Sequence, residues 1–495
     1  MKQGLVKPSY IILFCICALL VVFVTRVLSL GYYPLLDTTE ARYGEMVRIM
    51  LETGDWVTPQ FNYGVPFLGK PPLFIWVSAL FAKFSVVNEF SMRFASIMVS
   101  LITMFVTWCL ANFQFGKNYA WLTITIIATT VIHIVLSGAI VAEPVLLLSL
   151  SLITSGFWIG IKSELPKQAL TWQYIFFIGI AAGLLAKGLV VGILGVMPII
   201  IWCIYTNNLG KAIRKFPWFT GVILTLVIAL PWYILAEIKN PGFLKYFIIG
   251  EHFNRYLMPG WEGDRYGHAH NEPLGYIWPI WLVATLPWSL VFITLFINDL
   301  RRKATKTANT ISTNLNQWRS FLYIAFFTPL IFFSFAHNII WTYSFATVIP
   351  MGLLIALWAK TKIESSKQWF CWPVSVSVIN LVAVIAMTIW LALGNVTSSQ
   401  QQLLATAYAT NNLTNNINII YWKDLPFSGR FYSKGQAKIC YDLAELERSI
   451  DESLTSNHYY IMKQNRMDSL PENIKSKFIV RKAIDNWLLL SLVNH

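Results

Sequence analysis

The chain has 495 residues, enough for two or three soluble domains, yet 56% of them are hydrophobic and only 13% are charged. Water-soluble domains carry roughly twice that charged fraction, and the apolar residues here fall in blocks of about 20, the length that crosses a hydrocarbon core of ~30 Å. The net charge of +14 does not mark a nucleic-acid binder. Its Lys and Arg cluster in short links between apolar blocks (Lys211, Arg214, Lys215; Arg301, Arg302, Lys303, Lys306; Lys360, Lys362, Lys367), the bias of cytoplasmic loops under the positive-inside rule.

In chain order, Lys2 and Lys7 precede an apolar run that is too long for a signal-peptide core and lacks a small-residue cleavage site. It reads as a first span over 10–30, with its N-terminus in the cytoplasm. Further spans are expected near 91–111, 118–137, 140–160, 172–187, 189–206, 217–237, 275–297, 319–336, 340–359 and 369–393. A shorter apolar segment, 71–87, opens with Pro71-Pro72. Read as re-entrant or interfacial, it leaves every basic cluster inside; read as a span, it turns them outward. The expected architecture is an all-α polytopic membrane bundle of about 11–13 transmembrane helices over 1–394. A small α+β domain over 395–495 follows outside the membrane.

Two outer loops, 31–90 and 239–274, hold most of the polar chemistry. In the first, Tyr43, Met46, Val47 and Met50 recur at helical spacing and Gly54 offers a stop. The helix is expected to lie in the interface plane, its apolar face in lipid or on the bundle. In the tail, Ile417–Trp422, His458–Met462, Lys477–Val480 and Trp487–Leu492 read as short strands. Asp442–Leu454 reads as a helix capped by Asp442, with Glu445 three residues on. Its stripe is Leu443, Leu446, Ile450 and Leu454. The six cysteines are too scattered for a disulfide framework, and no metal-ligand spacing occurs among them.

Ionisable groups at membrane depth are costly, so each is weighed as functional beside its ordinary role. Asp37, just past the first span, is either a catalytic carboxylate or the cap of a helix with Glu40 at its third position. Lys70, ahead of Pro71-Pro72, is a point charge suited to a phosphate or a snorkelling lysine. Glu143 enters a span with no basic neighbour in sequence and could hold a metal ion, position an acceptor or cap the helix. Lys187-Gly188 is a similarly placed interfacial pair. The stretch Glu251-His252-Phe253-Asn254-Arg255-Tyr256, with Trp261-Glu262-Gly263-Asp264-Arg265-Tyr266-Gly267-His268 and His270, mixes acids, bases and aromatics. That mixture suits a sugar phosphate, with rings for the pyranose and Arg for bidentate contact.

These stretches together resemble the GT-C superfamily of polyprenyl-phosphate-sugar glycosyltransferases, nearest to protein O-mannosyltransferase-like enzymes and lipid A aminoarabinose transferases. The residues that carry the likeness are Asp37-Thr-Thr-Glu-Ala-Arg-Tyr, Gly54-Asp55-Trp56, Phe67-Leu-Gly-Lys-Pro-Pro-Leu, Lys187-Gly188, Pro231-Trp232-Tyr233, Glu251-His-Phe-Asn-Arg-Tyr and Thr342-Tyr343. It implies that Asp37 is the catalytic carboxylate, with Glu143 at the place of a second acid. Lys70, Arg255 and Tyr343 would meet the donor phosphate, and Glu40, Arg42, His252, Asp264 and His270 would lie around the substrate. Two departures stand out. Gly69 replaces a glutamate that often precedes the lysine and in some relatives is implicated in binding metal, and His337-Asn338 replaces a lysine-rich stretch. A divalent metal ion is left open, and no other cofactor is implied.

The expected function is an inverting transfer of a sugar from a polyprenyl phosphate to a hydroxyl or phosphate of a lipid, glycan or protein acceptor. It would occur on the periplasmic side of a bacterial inner membrane. The competing reading is a lipid or sugar transporter or flippase. Long structured outer loops and polar residues gathered on one side argue against it, because transporter sites lie near the midplane on broken helices.

Overall fold

The computed structural model describes residues 8–267, 270–304, 313–363, 382–383, 385–386, 389–390, 398–409, 417–452 and 457–493. Among the described residues six helices, counting the last with its leading 3-10 turn, are long and apolar enough to cross a membrane. They are α1 (Pro8–Ser29), α4 (Glu89–Phe115), α7 (Glu143–Lys162), α8 (Pro166–Lys187), α11 (Trp218–Lys239) and the 3-10 turn Trp341–Thr347 continued by α16 (Val348–Ile363). A bent pair, α13 (Ile277–Ala284) and α14 (Trp288–Ala304), meets at 114° and would make a seventh. The chain is an integral membrane protein.

Between these lie shorter pieces, α2 (Thr39–Thr53), α3 (Leu73–Lys83), α5 (Lys117–Ala128), α6 (Val131–Leu136), α9 (Met197–Tyr205), α10 (Leu209–Lys215) and α12 (Arg255–Leu257), and the 22-residue α15 (Thr313–Ser334). The expected span at 118–137 is divided at Thr129-Thr130 into α5 and α6, and both hydroxyls bond back to Ile126 O, four or three residues behind. The expected span at 189–206 is a π-turn (Gly192–Val196) running into α9. At 11 residues α3 is about 16 Å long, far short of the ~30 Å core, which agrees with leaving 71–87 out of the span count. The expected span at 369–393 lies almost wholly outside the described residues.

Hydrogen bonds show which ends face the same way. Arg93, near the start of α4, donates to the carbonyls of Leu30, Tyr33 and Pro34 beyond α1. Ile140 N, in the link before α7, donates to Glu40 at 3.3 Å, and Glu272 N donates to His337 O at 2.8 Å. The loops 31–88, 137–142, 240–276 and 335–342 therefore form one polar end. At the other end Lys215 donates to Ile161 O and Ser163 O, and Lys162 to Gln317 Oε1. That is where the sequence places its basic links.

Helix α2 departs from the interfacial picture. It ends where expected, with Gly54 at φ 71° and its N–H on Met50 O. Part of its polar face is covered too, however: Glu45 is 2% exposed and Arg48 8%, while Glu52 near its end stays exposed. Arg48 lies on Glu45 at 2.7 Å and on Glu52 at 2.5 Å, beside Tyr63. Helix α2 is thus a buried strut between the bundle and the tail. Nor do Asp37 and Glu40 form a capping pair: Thr38 is the N-cap residue, without a side-chain bond, and Glu40 is paired with Arg93 at 2.8 Å.

Beyond a small hairpin, β1 (Gln60–Asn62) with β2 (Val65–Pro66), the strands belong to the tail: β3 (Ile417–Trp422), β4 (Lys438–Cys440), β5 (Asn457–Lys463), β6 (Phe478–Ile484) and β7 (Trp487–Leu492). They pair in the order β4-β3-β5-β7-β6, with β3 parallel to β4 and β5, and β7 antiparallel to β5 and β6. Helices α17 (Gln401–Ala409), α18 (Phe427–Tyr432) and α19 (Leu443–Glu452) accompany the sheet. In α19 the expected cap is present: Glu445 N donates to Asp442 and Tyr441 N to the Glu445 carboxylate. Leu446 and Ile450 are buried, Leu443 is 37% exposed, and Leu454 lies outside the described residues.

Candidate active site at the polar end of the bundle

Helices α7 and α8 run antiparallel, so the first residue of one meets the last of the other. Glu143, 4% exposed, accepts from Lys187 Nζ at 2.8 Å and from Thr342 Oγ1 at 3.0 Å. This joins three expected candidates, because Thr342 precedes Tyr343, whose ring lies 4.9 Å from the Lys187 ammonium. The ring is fixed from its other side by stacking on Phe333, with centroids 4.6 Å apart.

Lys70 approaches from the first loop. Its ammonium donates to Tyr43 Oη at 2.7 Å and, among the described residues, has no carboxylate within 4.0 Å. Burial presses its pKa down, but the Tyr43 hydroxyl and the Glu143 carboxylate outweigh it and hold the ammonium above the usual lysine value. For Tyr43 burial works upward, and Lys70 and Arg42 bring the phenol below its ordinary value. The two groups are tuned to each other. The sequence gives Tyr43 no role of its own, only a place in an apolar stripe and in the Asp37–Tyr43 stretch; what the pattern misses is that its ring packs while its hydroxyl reaches out.

Arg255 enters from the second loop. It donates to Glu251 at 2.8 Å and lies 3.3 Å from Asp264, which also accepts from Tyr266 N. Burial works against its charge, and Tyr343, Glu251 and Asp264 more than restore it. Its Nε is buried and has no hydrogen-bond partner, and the same holds for Asn338 Nδ2. His252 is locked by ring contacts to Phe247 O at 2.8 Å and Lys187 O at 3.3 Å.

These groups share one cavity of about 530 Å³. Lys70, Glu143, Lys187, Glu251, His252, Arg255, Asn338, Thr342 and Tyr343 line it together with an apolar set from α7 and the π-turn: Leu146, Leu147, Leu150, Ile193 and Leu194. Because a helix returns to one face at i+3 and i+4, the leucines follow Glu143 down a single side of α7, about one and two turns deeper. The result is a charged head on a greasy trough, with two unpartnered donors and one uncommitted ammonium at the head.

Not every expected residue joins. Asp37 is not among the lining residues. Its carboxylate accepts from Ser428 N at 2.9 Å and from the Ser428 hydroxyl, and its own N–H donates to Ser398 O at 2.9 Å. Burial raises its pKa above the ordinary carboxylate value, against the pull of the Ser428 bonds. Glu40 is committed to Arg93. Arg42 donates to Tyr266 O at 2.6 Å and lies against the rings of Tyr43, Phe67 and Phe427. His270 is exposed and meets Asn338 only through its backbone N–H, at 3.2 Å. Asp264 contributes through Arg255. No group of three or more His, Cys, Asp and Glu side chains suited to a metal ion occurs among the described residues. The cavity's acids are bonded to Lys187 and Arg255, so no metal-dependent step is derived.

Residues 9–247 match the family model of dolichyl-phosphate-mannose-protein mannosyltransferases. Over 98% of both chains the structure superposes on the crystal structure of ArnT from Cupriavidus metallidurans, with a TM-score of 0.73 for the apo state at 18% identity. The two chains share a fold. The same ArnT bound to undecaprenyl phosphate gives a TM-score of 0.72. Among curated proteins, the undecaprenyl phosphate-alpha-4-amino-4-deoxy-L-arabinose arabinosyl transferase of Shewanella sediminis is 26% identical over 66% of this chain and 56% of its own length. That of Aeromonas salmonicida is 26% identical over 69% of this chain and 59% of its own. The chain thus matches little more than half the length of these relatives.

Proposed function

We propose that this chain is an inverting membrane glycosyltransferase that takes a sugar from a polyprenyl phosphate, of the undecaprenyl kind named for its relatives. The acceptor is a hydroxyl or phosphate of a lipid, glycan or protein at the periplasmic face of a bacterial inner membrane. The observation that carries this reading is the cavity itself, where unspent donors from Lys70, Arg255 Nε and Asn338 meet an apolar trough. A lipid-borne phosphate diester satisfies both halves at once, and charged hydrogen bonds of that kind are the strong ones.

In the reaction, the acceptor oxygen bonds to the anomeric carbon from the face opposite the phosphate, and the carbon–oxygen bond to the phosphate breaks. The acceptor proton goes to Asp37 and the lipid phosphate departs. Lys70 and Arg255 meet the charge that builds on the leaving oxygens, the point where fixed donors act most strongly. Glu143 is the counter-ion of Lys187, with Tyr343 steering that ammonium. Asp37, half-buried and without a bonded cation, suits a general base, whose effectiveness grows as its pKa approaches the working pH. The Ser428 hydroxyl then stands where the acceptor hydroxyl must donate, so acceptor binding requires α18 to give way.

Purified protein given a labelled polyprenyl-phosphate sugar should release free lipid phosphate and form a new glycoside. Movement of the intact lipid across a bilayer, with no free phosphate, would overturn the proposal in favour of a flippase.

A further inference from the structure

A second cavity, of about 630 Å³, lies between α1, α4 and α5 and shares no lining residue with the first. Its walls are apolar along α1 from Ile16 to Phe23 and along α4 from Ile97 to Phe105, and its head is formed by Arg26, His133 and Ser137. From Ile16 to Arg26 it runs about 15 Å at the rise of a helix, roughly half the ~30 Å core, which is one leaflet.

The head is built and unsatisfied. Arg26 is 7% exposed and His133 3%. Arg26 donates to Ser29 Oγ at 3.0 Å, but its Nε has no partner and, among the described residues, no carboxylate lies within 4.0 Å of it. Both ring nitrogens of His133 are buried without a partner. The chain leaves room for the guanidinium, because a side chain on Gly138 would collide with it. A guanidinium held at membrane depth with one neutral acceptor is costly, and buried donors are rarely left unbonded. What is lacking is an anion with several acceptor oxygens.

We infer that this cavity binds one anionic phospholipid, its phosphate on Arg26 and His133 and an acyl chain in the groove between α1 and α4. The lipid belongs to the leaflet that carries the polar end of the bundle, since Arg26 lies in the last turn of α1, just before the first loop. The inference is independent of the donor reading, because the two cavities are separate. A zwitterionic lipid offers the same phosphate but brings a cation of its own to a head that already holds a guanidinium without a carboxylate, so the site favours net negative charge.

The test is native mass spectrometry of the delipidated full-length chain offered phosphatidylglycerol or phosphatidylcholine of matched acyl chains. One phosphatidylglycerol per chain should persist through activation that strips phosphatidylcholine. Arg26→Gln should lower that retention about tenfold, as loss of a charged hydrogen bond does. Leu20→Trp should do the same by filling the groove from a position 55% exposed, where a larger ring leaves the core undisturbed. Lys70→Met, in the other cavity, should retain the lipid. Equal retention of the two lipids overturns the inference. So does phosphatidylglycerol retained in Leu20→Trp as in the unaltered chain, or lost in Lys70→Met instead. If Arg26→Gln does not fold, Leu20→Trp decides.

Discussion

Lys70→Met removes the one ammonium of the donor cavity that has no carboxylate partner, and its consequences separate binding from stability. The side chain is partly buried and keeps its methylene stem against the same walls in the variant. The group left behind is a tyrosine hydroxyl, not a charge: Tyr43 Oη loses the 2.7 Å bond and the pull of Lys70, with Arg42 still beside its ring. No buried ion is stranded, so thermal unfolding in detergent should move little. Donor binding should fall. A hydrogen bond to a charged group contributes about 1.5–3 kcal/mol, which is roughly 10- to 150-fold in dissociation constant. Titration of undecaprenyl phosphate without a sugar, followed by intrinsic tryptophan fluorescence, reads the phosphate contact alone. An unchanged dissociation constant would refute the placement of the phosphate, and so would a large loss of stability with binding intact, since that would make Lys70 a structural cation.

Other consequences follow from the same geometry. Glu40→Gln leaves the Arg93 guanidinium, 0% exposed, without its carboxylate and should cost about 3–5 kcal/mol of stability, read as a lower denaturation temperature, while phosphate affinity is preserved in the protein that folds. Asp37→Asn should lower turnover about 10²–10⁴-fold with phosphate affinity retained; wild-type turnover would remove the assigned role. Because burial raises the Asp37 pKa, and the base must be ionised to act, activity should rise with pH through a limb displaced above the ordinary carboxylate range. Ser428→Ala deletes a bond that favours the ionised form, so that limb should move to still higher pH; an unmoved or lowered limb would show that Asp37 is not the titrating base.

What the sequence made legible was set by local pattern. Hydropathy and basic links give the bundle and its polarity because each span declares itself over some 20 consecutive residues. The strands Ile417–Trp422 and Trp487–Leu492 match to the residue, since a short apolar run bounded by polar residues is also a local signal. The three-residue β4 and the helices α17 and α18 lack any such repeat and do not stand out. The first cavity is half legible: Lys70, Glu143 and Arg255 stand out singly, as charges too costly to be idle, and Tyr343 through the resemblance alone. Their partners do not, because Tyr43 hides in an apolar stripe and Asn338 in a short link.

The Asp37–Ser428 contact shows where such reading stops. The two residues are 391 positions apart, and nothing near Ser428 in sequence distinguishes it from the other serines of a polar tail. Only the docking of α18 on the first loop brings them together. Tyr432 of the same helix donates to Glu89 at 2.7 Å and accepts from Leu35 N at 2.7 Å, so a second residue of α18 holds the docking. The capping role that local spacing offered Asp37 would have tied the carboxylate to its own helix. The tail instead holds it by a backbone N–H and a hydroxyl, two donors that carry no charge. A cation in their place would stabilise the carboxylate and make it a poor base; two neutral donors orient it while burial keeps its proton affinity high. The polar tail is thus positioned to set both the direction and the basicity of the group that the proposed transfer depends on.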